Sequence, residues 1–405
     1  MLRLSNKRTP FNRCGFVPLI FRLIKGIVCA SVVCFGANAI AQQDTTQTIT
    51  VDSLLIKQLQ QQMAATPQPP PQQAAPRTAP STNPDISAIG DFRSSYTSIG
   101  KRKIETYLNE VEFQVVSVVD PYARAEFLFS FGKDLSTGEL GIEFEVGTLT
   151  SQSLPYQLQL TLGKFKPQFG KVNILHPHYF SFVEFPLMIN NFFDSEGMFM
   201  DGASASWLVP NPFGFYQELV AEVGRIGSEP NASLVQGEAD KLLYVGHLKN
   251  FFDLSSNATL EFGLSGLNGP NQYSFATSML SFDFTYKWKP LRFNTYKSFT
   301  WQNEALMNRA KTGAKDIVQT YGGYSYIEYQ TAKRWFIGLR YDYSEFPDTE
   351  KQREHAGTFL LRFQPTEFQI LALQYQYTDR NYDRNFSQIA LRAIFGIGKH
   401  AAHAY

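Results

Sequence analysis

This 405-residue sequence has three cysteines, Cys14, Cys29 and Cys34, and all of them precede residue 42. Beyond that point no disulfide framework can form, so stability has to come from packing and backbone pairing. Long apolar runs are missing as well: after the first 41 residues no uncharged stretch approaches the ~20 residues of a membrane helix. Charge of one sign is scarce. Six of the 37 Lys and Arg, and none of the 36 Asp and Glu, lie before residue 42, so the remaining chain carries 31 bases against 36 acids, a net charge of −5. A mildly acidic chain offers no basic footprint for nucleic acid. No G-x-S-x-G elbow and no strict zinc-ligand spacing occurs either.

The N-terminus reads as a secretory signal, residues 1–41. Arg3, Lys7, Arg8, Arg13, Arg22 and Lys25 form a basic start, Gly26 to Phe35 an apolar core too short to span a bilayer, and Ala39-Ile40-Ala41 a cleavage site. Cys29 and Cys34 each follow Val, where a lipoprotein signal usually places Gly or Ala. Residues 42–84 form a Gln- and Pro-rich periplasmic arm. Within it Val51 to Ala64 reads as a short helix, capped by Asp52 and striped by Leu55, Leu59 and Met63. At about two heptads it could seed a coiled coil or remain a frayed arm. Pro67 to Pro84 reads as an extended linker.

From residue 85 to 405 the dominant signal is alternation. Leu280, Phe282, Phe284, Tyr286 and Trp288 share one parity; Ser281, Asp283, Thr285, Lys287 and Lys289 share the other. Alternate side chains of a strand point to opposite faces, so one face is apolar and aromatic and the other polar. Phe127, Phe129 and Phe131 oppose Glu126 and Ser130. Leu140, Ile142, Phe144 and Val146 oppose Glu143 and Glu145. Leu339, Tyr341 and Tyr343 oppose Arg340 and Asp342. Turn signals at Asp120-Pro121, Pro210-Asn211-Pro212, Asn268-Gly269-Pro270 and Pro365-Thr366 separate such runs. The pattern predicts an all-β, antiparallel transmembrane barrel of about 16 strands, in the range 14–18, set in outer-membrane lipid of a Gram-negative cell. A soluble β-sandwich also alternates, but it rarely rims so many hairpins with Tyr and Trp. The chain ends on Tyr405, an aromatic residue common at the end of bacterial outer-membrane proteins.

One ordered set of motifs stands out: Val119-Asp120-Pro121-Tyr122-Ala123-Arg124-Ala125, then Gly163-Lys164-Phe165-Lys166-Pro167-Gln168-Phe169-Gly170-Lys171-Val172-Asn173, then His176-Pro177-His178. Glu196-Gly197, Asp201-Gly202 and Trp207-Leu208-Val209-Pro210 follow. From Asn83-Pro84-Asp85-Ile86-Ser87 onward the chain resembles the porin superfamily that includes the phosphate-selective porins O and P. The resemblance implies a homotrimeric channel of about 16 strands with a loop folded into the lumen. Asn173 to Gly202, the longest break in alternation, is the candidate for that loop, with Glu184, Asp194, Glu196 and Asp201 facing the water path.

By parity the lumen carries Glu112, Glu126, Glu143, Glu145, Glu218, Glu222, Glu261, Asp283, Glu304 and Asp342 against Lys287, Lys289, Arg340, Arg362 and Arg392. Phosphate-selective members line the path with Arg and Lys, whereas acids lead here. Acid rings favour cations, so the expected function is passive diffusion of small hydrophilic solutes or ions with a mild cation preference and no cofactor. Three other roles are weaker. His176 and His178 with Asp194 and Glu196 form a loose metal set. His247 and His355 would serve a rim hydrolase, but no nucleophile elbow accompanies them, so no enzyme is expected. A receptor needs a plug domain, for which residues 42–84 are too few.

Overall fold

The computed structural model describes residues 84–100, 104–133, 140–193, 197–227, 233–235 and 241–398. Contacts divide the chain into units 1–77 and 78–405, and every described residue belongs to the second. The signal, the short helix and most of the linker therefore lie outside the described residues.

Sixteen strands follow one another: β1 Asp85–Thr97, β2 Ile104–Asp120, β3 Ala123–Lys133, β4 Leu140–Ser151, β5 Leu158–Phe165, β6 Met200–Leu208, β7 Tyr216–Ile226 and β8 Leu243–Ser255. The second half comprises β9 Ala258–Pro270, β10 Ala276–Trp288, β11 Phe299–Lys311, β12 Ile317–Ala332, β13 Trp335–Phe346, β14 Thr349–Thr366, β15 Gln369–Arg380 and β16 Phe386–Gly398. Each pairs antiparallel with its sequence neighbours, and β1 pairs with β16 to close the barrel. Closure satisfies the backbone groups that an open sheet edge would leave bare. The one described α-helix, α1 Leu187–Phe193, sits in the connection between β5 and β6.

Alternation sets the faces. In β10, Leu280 and Phe282 are about half exposed, while Ser281 and Asp283 are 2% exposed. Large apolar side chains thus face outward around the wall, among them Leu264, Leu339, Leu371 and Leu391. A continuous apolar outer belt is what a bilayer solvates and water does not. At the end that carries the termini, Phe213, Phe215, Phe252 and Phe262 stack in sequence, with centroid separations of 6.3, 4.5 and 5.6 Å.

Three details depart from the alternation pattern. First, a bulge between Leu128 and Phe129 of β3 leaves Glu145 of β4 as an extra residue. Glu145 and Val146 are then both buried, and Val146 leaves the apolar outer row that parity assigns it. Second, Met279 and Leu360 face inward and are almost fully buried, because the lumen is not purely wet. Third, two turns come slightly later than their signals: β9 runs through Pro270 and β14 through Thr366.

Candidate functional site: the loop seated in the lumen

The irregular segment runs from residue 166 to 199, beginning seven residues before the expected Asn173 and ending as β6 starts at Met200. Its entry is the Gly163–Gly170 motif. Gly163 has φ +131°, and a Cβ there would lie 1.9 Å from the Gly147 carbonyl oxygen. Gly170 has φ +67°, and a Cβ there would lie 1.8 Å from Glu304 Oε1. Glycine is required at both: Gly163 presses on the β4 backbone within the ladder, and Gly170 sits where the chain, having left the wall after Phe165, passes close to it again.

The segment folds inward. Phe169, Phe180, Phe182, Val183, Phe185, Met188, Ile189, Phe192 and Phe193 are buried against inward wall residues Leu243, Val245, Leu267, Met279, Leu306, Tyr324, Tyr326 and Leu360. Phe182 meets Tyr326 edge-on at 5.5 Å, and the Arg340 guanidinium lies 4.5 Å from its centroid. Sequestering so much apolar surface is the main drive for seating the loop.

Polar contacts fix its position. Gln168 N–H donates to Glu222 Oε2 at 2.9 Å, and Gly170 N–H to Ser265 Oγ at 2.9 Å. Lys171 Nζ reaches Glu261 Oε1 at 2.5 Å, and Lys249 Nζ the other oxygen at 3.4 Å. Val172 N–H donates to Glu304 Oε2 at 3.3 Å. His176 Nδ1 is 3.0 Å from Glu145 Oε2, and His178 Nδ1 is 2.9 Å from Glu112 Oε1. The imidazoles stack nearly parallel, 6.0 Å apart. Tyr179 packs on His178 at 4.1 Å; burial, then the Glu112 and Glu126 carboxylates, pushes its phenol up to about 12.

On the opposite wall basic residues hold loop carbonyls. Arg340 donates to the Glu184 and Phe185 carbonyls at 2.8 and 3.3 Å and pairs with Asp342 at 2.8 Å. Asp342 Oδ1 accepts from Leu187 N–H at 3.3 Å. Arg392 donates to the Phe182 carbonyl at 3.3 Å and pairs with Asp91 at 2.8 Å. Gln374 Oε1 accepts from Val183 N–H at 2.8 Å, and Asn191 donates to Ser344 and Glu354. Asn173 ties the neck. Its amide donates to the Pro167 and Met198 carbonyls at 3.0 and 3.3 Å and accepts from Met198 N–H at 2.7 Å.

The anticipated residues therefore separate into groups. Glu112, Glu145, Glu222, Glu261, Glu304, Arg340, Asp342 and Arg392 hold the loop. Glu126 accepts from Gln114 at 2.7 Å, Glu218 accepts from Tyr216 at 2.8 Å, and Asp283 is buried. Glu143 is exposed, opposite Ser130. Glu184 is 3.7 Å from Arg93. Asp201 is exposed in β6, on the parity opposite to inward Met200. Asp194 and Glu196 lie outside the described residues. His176 and His178 meet carboxylates one each, and among the described residues no group of three or more His, Cys, Asp or Glu is placed to hold a metal ion. Lys287, Lys289 and Arg362 line a cavity of about 820 Å³ at the termini-bearing end, with Asp253, Gln330 and Gln364. Arg362 is held there by Glu328 at 2.7 Å and lies 4.0 Å over Phe336.

Sequence reasoning missed Asp91, Arg93 and Glu110. Asp91 and Arg93 share the inward parity of Ser87 and Ile89, a usable signal in β1. Glu110 lies two residues from Glu112 and shares its inward face by alternation; the bulge that makes Asn109 an extra residue reverses the parity only beyond it, where Leu108 faces outward.

No family model matches this chain. An uncharacterized protein of Aquifex aeolicus (strain VF5) is 27% identical over 343 residues, covering 74% of this chain and 70% of that protein. Among solved structures, an anion-selective porin from Comamonas acidovorans superposes with TM-score 0.53 at 11% identity, covering 78% of this chain and 99% of that one. The outer membrane channel DcaP of Acinetobacter baumannii gives 0.54 at 9%, covering 78% and 98%. OmpT of Vibrio cholerae in a trimer form gives 0.50 at 9%, covering 78% and 100%. At these identities the likeness is one of fold: the chain is an outer-membrane β-barrel with the fold of porins.

Proposed function

We propose that the protein is a passive outer-membrane channel for small hydrophilic solutes or ions, with its width set by the segment from 166 to 199. The observation that carries this reading is the loop's seat: bonded to both sides of the wall, it narrows a sixteen-strand lumen that otherwise lacks a plug among the described residues. A mild cation preference follows from the lumen acids that keep water contact, Glu126, Glu143 and Glu184, because those holding the loop are buried against it. Lys287 and Lys289 at the other mouth keep the preference small. Kinship with the phosphate-selective O and P porins is supported by the Gly163–Gly170 motif, which forms the loop's root; the acid-rich lumen does not support phosphate selectivity. Self-association is supported by the belt and by the fold shared with a porin described in a trimer form.

Reconstitution in planar bilayers tests the reading. Steps in current, with a reversal potential of cation sign in a salt gradient, are expected. Deleting Ser181 to Asn191 should raise single-channel conductance several-fold. A heat-modifiable, β-rich protein that passes no current would rule out the channel, and unchanged conductance in the folded deletion would remove the loop as its constriction.

A further inference from the structure

Where the loop lies on β2–β4, the described residues gather more acid than fixed base. From the wall, β2 contributes Glu110 and Glu112, and β4 contributes Glu145, all three buried. One carboxylate oxygen of Glu110 and one of Glu112 have no hydrogen-bond partner. β1 adds Asp91, and the loop itself adds Glu184. Arg93 is shared between Asp91 and Glu184, and Arg392 binds Asp91. Lys166, also buried, acts electrostatically on Glu112 and Glu145. Five acids against these three cations leave two negative charges uncompensated. Neighbouring groups do not change the sum. Arg124 and Glu126 of β3 pair with each other, Glu143 of β4 is exposed to water, and Tyr107 and Tyr179 stay neutral phenols. Buried carboxylates without a counter-charge are costly.

Two imidazoles make up the difference. His176 Nδ1 is 3.0 Å from Glu145 and His178 Nδ1 is 2.9 Å from Glu112, so each ring meets its own acid. The rings are 6.0 Å apart, where two imidazoliums repel unless acids flank both. Protonated, they bring the cations level with the acids; neutral, they leave the excess in place. The far half of the loop has no such dependence. There Arg340 holds the Glu184 and Phe185 carbonyls, and neither a guanidinium nor a carbonyl titrates near neutrality.

We propose that His176 and His178 form a proton-operated latch, which fastens residues 176–179 to β2 and β4 when both rings are charged and releases them as the pH rises. The proposal rests on the reading of the loop as the constriction and adds what sets its position. An imidazole released into water is neutral above about pH 6.5. The seated rings are charged, so above that pH the seat holds up to two protons more than the released limb. Rising pH therefore weakens the seat, by up to about 100-fold per pH unit when both protons leave together. Below about pH 6.5 the released rings are charged as well, and the dependence flattens.

The chain carries six histidines, few enough to follow singly by NMR with isotope-labelled histidine in detergent; His176→Gln and His178→Gln assign the signals. Single-channel conductance is recorded over the same range, from about pH 6 to about pH 8.5. Both rings should lose their protons in one step, and conductance should rise over that step. Proteolysis between 173 and 182 should accelerate relative to the double variant His176→Gln/His178→Gln. That variant, checked by heat modifiability, should show one conductance throughout. Glu110→Gln removes one of the acids, so it should move the step to lower pH, a test that stands even if the double variant does not fold. Rings that keep one charge state throughout overturn the latch. A pH response that survives in the double variant also overturns it and assigns the protons to Glu110 and Glu112. Rings that titrate together with the proteolysis step, at unchanging conductance, uphold the latch and overturn the loop as the constriction.

Discussion

The wall from β9 to β15 and the wall from β4 to β6 obey the same hydrogen-bond rules with different results. From β9 to β12 the registers run unbroken over 12 or 13 residue pairs. Between β4 and β5 only four pairs form. The ladder of the first region depends little on any one side chain, although Arg340 and Asp342 of β13 also serve the loop. The second gives up ladder for a loop whose backbone is satisfied by side chains of the opposite wall. Stability in the regular wall is spread over many equivalent bonds; in the loop's seat it is concentrated in a few residues.

That contrast can be broken or sharpened by substitution. The largest effect is expected from Arg340→Ala, which releases two loop carbonyls and leaves Asp342 buried without its partner, at a cost of about 3–5 kcal/mol. Chemical unfolding in detergent should show the loss, and single-channel records should become noisy. Asn173→Ala comes next. It opens the neck and orphans the Met198 N–H, about 1–3 kcal/mol for that group alone. Accelerated proteolysis within 166–199, with the barrel band retained, would mark the effect as local. Gly170→Ala forces a side chain onto Glu304 at positive φ, for about 1–3 kcal/mol; a lowered thermal midpoint checks it. The smallest change should be Gly357→Ala in β14, where a Cβ meets nothing within 4 Å. A midpoint shift equivalent to less than about 0.5 kcal/mol is expected; a shift as large as that of Gly170→Ala would erase the distinction between the two regions.

Legibility followed the same divide. The strands of β10, β13, β15 and β16 could be read from alternation because their outer faces meet a uniform apolar solvent. Val146 could not, because a bulge adds one residue and reverses the parity beyond it, and nothing in the local sequence announces that insertion. Met279 and Leu360 were unreadable for another reason: an inward apolar side chain makes sense only once an apolar loop lies opposite. Parity marks acids such as Glu222 and Glu304 on the inward face but not their occupation. Glu222 and Glu304 accept backbone N–H groups, which no sequence pattern labels. Lys171 and Asn173 were visible as parts of a motif, while their tasks, holding Glu261 and tying the neck, depend on contacts 90 and 25 residues distant in sequence.

Arg392 belongs to the last strand, and it grips Asp91 of the first strand and the Phe182 carbonyl of the loop. Three parts of the chain separated by up to 301 positions meet in that one side chain. During assembly the Arg392 anchor on the Phe182 carbonyl therefore cannot form until β16 has joined the wall beside β1. A nascent barrel, still open along that seam, holds the Phe180–Phe193 apolar stretch without its full anchorage. Closure of the wall and the last anchorage of the loop are thus joined in one side chain, so a chain truncated before β16 would lack both the seam and that anchor.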